Sequence, residues 1–120
     1  MRDVTFKRST LIFAAAPAQA ETWWQPYADV YRMRDGWLVK FELAGVRPED
    51  IRVEVAGRRV HISGVRRDWV LEEGSSHYCM EIAYNRFERM IDLPGVERIS
   101  RAGIDYRDGI LLVRLSTKGD

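Results

Sequence analysis

The sequence is poor in the residues that carry chemistry. It has one cysteine and two histidines. A single thiol cannot close an intrachain disulfide, so a reducing compartment is compatible and a cytoplasmic location is expected. Cys79 lies in Tyr78-Cys79-Met80-Glu81-Ile82, which alternates like a strand, and no neighbour there would activate its sulfur. His61 falls on the polar side of a strand pattern and His77 follows the loop residues Gly74–Ser76. Neither stands at metal-ligand spacing from the other or from Cys79, so no metal is expected. A Gly-x-Ser-x-Gly elbow, a glycine-rich phosphate loop and a His-Glu-x-x-His helix are all missing. Glu49–Asp50 and Glu72–Glu73 are adjacent carboxylates, but acid/base work needs two groups flanking a substrate in different environments. No catalytic residue and no cofactor are therefore expected.

Neither sign of charge dominates, with 19 basic against 18 acidic residues. Nucleic acid is not expected as a partner, because phosphate binding needs a basic face. The basic pairs Arg58–Arg59 and Arg66–Arg67 read as solvated strand ends and turns. No apolar run approaches the roughly 20 residues of a membrane helix, so no membrane partner is expected either. The amino-terminal stretch has Arg2, Lys7 and Arg8 before Leu11-Ile12-Phe13-Ala14-Ala15-Ala16, then Ala18-Gln19-Ala20. It reads as a retained apolar arm. The alternative is an export signal cleaved after Ala20.

What is present is a globular composition, 46% hydrophobic and 31% charged, in a chain of 120 residues. That length suits one domain with a core of its own. Residues 1–26 form the arm, 27–115 the folded domain, and 116–120 a polar stub. Within the domain the dominant period is two. Trp37, Val39, Phe41 and Leu43 alternate with more polar neighbours, as do Ile51, Val53 and Val55, then Val60 and Ile62, then Leu111, Val113 and Leu115. Asp35-Gly36 and Asp108-Gly109 are hairpin signals. Ala56-Gly57-Arg58 is a tight turn, and Pro48 followed by two acids opens a helical turn. Short strands at this spacing predict an all-β sandwich or barrel. Trp23-Trp24 before the domain and Trp69-Val70-Leu71 inside a polar connection are apolar where a monomer has little need of them. They either await another protein or fold back on the domain.

Four motifs in order resemble those of the small heat-shock proteins. They are Leu43-Ala44-Gly45-Val46-Arg47-Pro48-Glu49-Asp50-Ile51, Val60-His61-Ile62-Ser63-Gly64, Tyr84-Asn85-Arg86-Phe87-Glu88-Arg89-Met90-Ile91-Asp92-Leu93-Pro94 and Asp108-Gly109-Ile110-Leu111. The resemblance runs from about Trp24 to Leu115. It implies an immunoglobulin-like antiparallel β-sandwich, the α-crystallin domain, and an ATP-independent chaperone that holds unfolding client proteins. The connection from Arg66 to Tyr78 is similar in length to that of the bacterial and plant branch. That implies a homodimer made by strand exchange, with Trp69, Val70, Leu71 and Arg89 serving the dimer. Client contact would fall to Leu11, Ile12, Phe13, Trp23 and Trp24. A groove for a neighbour's tail would be lined by Ile51, Val53 and Val55, with Ile104 across from them. Ala44 replaces the family's usual proline, and Ile104 stands where alanine is usual. The polar stub carries no Ile-x-Ile, which implies dimers or small oligomers and an empty groove open to co-assembly with other small heat-shock proteins. The rival expectation is a non-catalytic adaptor of co-chaperone type on the same sandwich.

Overall fold

The alternating runs become strands because alternation puts every second side chain on one face, where it can be removed from water. The computed structural model describes residues 23–68 and 72–118. Among them are seven strands, β1 (Ala28–Met33), β2 (Gly36–Glu42), β3 (Ile51–Ala56), β4 (Arg59–Arg66), β5 (Asn85–Asp92), β6 (Arg101–Arg107) and β7 (Ile110–Ser116). A single 3-10 turn, Pro48–Asp50, has its proline at the first helical positions, as the sequence predicts. One sheet has the order β1-β2-β7-β6 and the other β3-β4-β5, and every ladder is antiparallel. The fold is a two-sheet sandwich.

The core is built from the alternating positions of both sheets. Val39 faces Val113 and Phe41 faces Leu111 across one ladder, while Val53 faces Ile62 across another. All of these side chains are buried, with Leu43, Val60, Phe87 and Leu115 beside them. Each such burial contributes about 1.5–3 kcal/mol. Gly64 lies opposite Phe87. A Cβ at Gly64 would stand 2.0 Å from the Asp50 carbonyl oxygen and 2.7 Å from the Phe87 ring, so only glycine fits under that ring.

The hairpin signals resolve differently. Asp108 and Gly109 form the two-residue β6–β7 turn with φ of 52° and 81°, the doubly positive geometry that suits a twisted hairpin. At the first hairpin the two-residue loop is Arg34-Asp35, and Gly36 opens β2 instead. Gly36 is needed there for space, since a Cβ would meet the Leu115 carbonyl oxygen at 1.8 Å. The alternation around Cys79 does not make a strand. Tyr78, Cys79, Met80, Glu81 and Ile82 are all exposed and belong to no ladder. Alternation alone does not make a strand unless a partner strand accepts its backbone bonds.

Polar side chains tie the loops to this frame. The Tyr106 hydroxyl lies 2.8 Å from the Leu43 carbonyl oxygen and 2.6 Å from that of Val46, fixing the corner that leaves β2. Burial, followed by the nearby Glu42 charge, raises the Tyr106 pKa above its ordinary 10.0. Arg58 donates to the carbonyls of Leu93, Pro94 and Glu97 and so clasps the β5–β6 connection. Arg59 pairs with Asp92, and Arg67 pairs with Asp50. The basic pairs thus lie at the ends of β4 as expected, with Arg59 and Arg67 exposed, and they also make ties within the chain.

Candidate functional site

Two sheet edges of the sandwich are treated differently. Among the described residues β1 pairs with β2 on one side only, and it is exposed along nearly its whole length. Val30, Tyr31 and Met33 are each more than 40% exposed, and Tyr27 beside them is more exposed still. A strand edge of this kind offers unpaired backbone groups, bordered here by apolar side chains. β5, at an edge of the other sheet, is covered by the chain itself. Trp24 bridges to Phe87, with its N–H donating to Arg86 and its carbonyl accepting from Glu88, both at 3.1 Å.

Trp24, expected either at a client contact or folded back on the domain, lies against the domain. Its ring centroid is 5.3 Å from that of Phe87, and it packs on the core. The Arg66 guanidinium lies 4.1 Å from the Trp24 ring centroid and 5.8 Å from that of Tyr84. It also donates to the carbonyls of Ala83 and Ala44, so one side chain ties Trp24, the approach to β5 and the end of β2 together. Trp23 is half-buried, with Arg86 5.8 Å from its ring centroid. Leu11, Ile12 and Phe13 lie outside the described residues.

Arg89 shares the inward side of β5 with Phe87 and Ile91, as its spacing predicts. It is half-buried and donates to the Pro26 carbonyl at 2.9 Å within its own chain. That bond helps hold the Trp24 segment on β5. The other residues assigned to a dimer, Trp69, Val70 and Leu71, lie outside the described residues. The segment that follows, residues 72–83, is exposed throughout and carries Tyr78, Met80 and Ile82.

The four residues assigned to the groove divide by burial. Ile51 and Val53 are only 5% and 2% exposed and belong to the sandwich core. Their side chains point between the sheets because they occupy the inward positions of β3. Val55 and Ile104 are half-buried and pack on that core from the strand margins. A cleft of about 450 Å³ opens beside Val55, lined also by Ile99, Ala102 and the highly exposed Val96. His61, read as a surface imidazole, is half-buried with its Nε2 2.7 Å from Glu88 Oε2. Among the described residues no group of three or more His, Cys, Asp or Glu could hold a metal ion.

This arrangement, a bare edge on one sheet and shallow apolar clefts, suits the binding of other chains. The Hsp20/alpha crystallin family profile matches residues 29–119. The chain belongs to the Hsp20/alpha crystallin family. It is 30% identical over 90 residues to spore protein SP21 of Stigmatella aurantiaca, covering 75% of this chain and 53% of that protein. It is 35% identical over 98 residues to the 19.0 kDa class II heat shock protein of rice, Oryza sativa subsp. japonica, covering 75% and 56%. In structure it resembles heat shock protein 16.0 of Schizosaccharomyces pombe, with a TM-score of 0.68, 27% identity and coverage of 78% and 86%. The chain spans about half the length of these two curated relatives. Family membership and the α-crystallin sandwich agree with what the four sequence motifs implied. The motifs did not disclose the ties made by Arg58, Arg66 and Tyr106. Their one signal is an arginine or tyrosine placed where a strand meets a turn, which many solvated residues share.

Proposed function

We propose that this small heat-shock protein is an ATP-independent holdase, which covers apolar segments of unfolding proteins before these join one another. The observation that carries the proposal is the bare β1 edge with Val30, Tyr31 and Met33 exposed along it. An unfolding client presents extended apolar segments, and such an edge can accept one through backbone bonds and side-chain burial. Leu11, Ile12, Phe13 and Trp23 of the arm add apolar surface for clients. The same edge is the seat for a partner's Trp69-Val70-Leu71 in a strand-exchanged homodimer, with Arg89 holding the neighbouring wall. Val55 and Ile104 mark where a tail from another small heat-shock protein would lie.

The test is to heat a labile protein with increasing amounts of the full chain, without nucleotide, and to follow light scattering. Suppression of scattering at or below one chain per client is expected. Unchanged scattering across that range overturns the holdase reading and leaves the adaptor in its place.

A further inference from the structure

The outer face of the sheet β1-β2-β7-β6 carries a cleft of about 750 Å³, bordered on one side by Tyr27, Ala28 and Asp29 of the bare edge. Ile110 and Leu112 of β7 form part of its floor, and the carboxylates of Asp29, Glu42, Asp105 and Asp108 stand around it. One cross-strand row runs Asp29, Lys40, Leu112, Asp105 over all four strands. Lys40, the cation of that row, is turned to Tyr31, with Nζ 3.4 Å from its hydroxyl and 5.1 Å from its ring centroid. Arg107 and Arg114 also line the cleft, yet Asp105 Oδ1 is buried with no hydrogen-bond partner among the described residues. The exposed carboxylates of Asp29 and Asp108 beside it suit a cationic or N–H-bearing group set beside apolar side chains.

The amino-terminal arm has that chemistry. Lys7 and Arg8 are followed at once by Leu11-Ile12-Phe13. The arm joins the domain at Trp23, and Tyr27, only a few residues further on, already lines the cleft. Ten residues of extended chain reach about 33 Å, enough to pass round the sandwich from Trp23 to its outer face. A tether of that length also keeps the arm at high local concentration. We infer that the cleft over Leu112 and Asp105 is the docking site of the chain's own segment Lys7–Phe13, with its basic pair toward the carboxylates and its apolar residues over Ile110 and Leu112. The docked arm hides the side chains proposed for client contact.

The chain has three lysines, Lys7, Lys40 and Lys118, which makes the test specific. The full-length chain is treated with a water-soluble carbodiimide, which joins an amine to a carboxylate in contact with it, and the linked peptides are identified by mass. Lys7 is expected to join mainly Asp105 or Asp108. The pair Leu11→Ser with Phe13→Ser should lower that yield at least fivefold, as should Leu112→Asn. Coupling of Lys40 to Asp29, its cross-strand neighbour, serves as the check on the fold in each variant. Mixing isotope-labelled and unlabelled chains separates links within a chain from links between copies. Lys7 joined chiefly to carboxylates outside the cleft, a yield unchanged in both variants, or links found only between copies would each overturn the inference. The coupling is read without any client, so it fails or stands independently of the holdase proposal.

Discussion

At the scale of single residues, the loops are held by a few side chains that each reach more than one carbonyl. Tyr106→Phe removes the donor shared by the Leu43 and Val46 carbonyls and should cost about 1–3 kcal/mol. The effect should depend on pH in a definite sense. Burial raises the Tyr106 pKa above its ordinary 10.0, so the neutral phenol is favoured in the folded chain. The unfolded chain loses that proton first as pH rises. The advantage of the natural protein over Tyr106→Phe is therefore full below about pH 10 and shrinks as pH rises through the folded value. Urea midpoints of both proteins at neutral pH and at about pH 11, above the ordinary phenol range, measure it, and a gap that widens at alkaline pH would contradict the assignment. Arg66→Lys keeps the charge but loses the planar fork that binds Ala83 and Ala44 while stacking on Trp24. Exchange of the Glu88 amide, which donates to Trp24, should then speed several-fold while the β2–β7 amides stay protected. Equal protection in both proteins would show that Arg66 does not hold the segment. The sequence could place these residues at strand ends but not aim them, because periodicity reports a face and says nothing about which carbonyl a long side chain meets.

At the scale of elements, the strands were legible because their apolar positions alternate and their turns contain glycine where the backbone demands it. Alternation alone assigns Val39, Phe41, Leu111 and Val113 to a core. The Trp24 segment was not legible. Two tryptophans ahead of a domain look the same in sequence whether they cover an edge or wait for a partner. Only the Phe87 bridge and the Arg89 bond to Pro26 separate the two. The division within β3 was not legible for a related reason. Inward and marginal positions of β3 share one period, and only burial divides Ile51 and Val53 from Val55. The proposed strand exchange makes its own prediction. Trp69→Ser with Leu71→Ser should convert dimers to monomers, since a few large buried anchors carry most of an interface. Mass measured by light scattering on a sizing column checks this, and an unchanged dimer mass would remove the exchange.

At the scale of the whole molecule, the β5 edge is bridged by the chain's own Trp24 segment, and among the described residues the β1 edge has no such cover. In the proposed homodimer the β1 edge is hidden by a second chain, and that makes its exposure a matter of mass action. A solution well above the dimer dissociation constant would hold few bare edges, and dilution below it would free most of them. Client capture per chain should then rise as the chain is diluted, at constant temperature and at one fixed client concentration in excess over the chain. Scattering curves taken over a roughly hundredfold range of concentration test this, and capture per chain that does not change would mean that pairing does not compete with clients. Abundance would set readiness in a protein whose pairing does compete with clients. A cell that dilutes its store by growth would turn reserve into working capacity without making a new molecule.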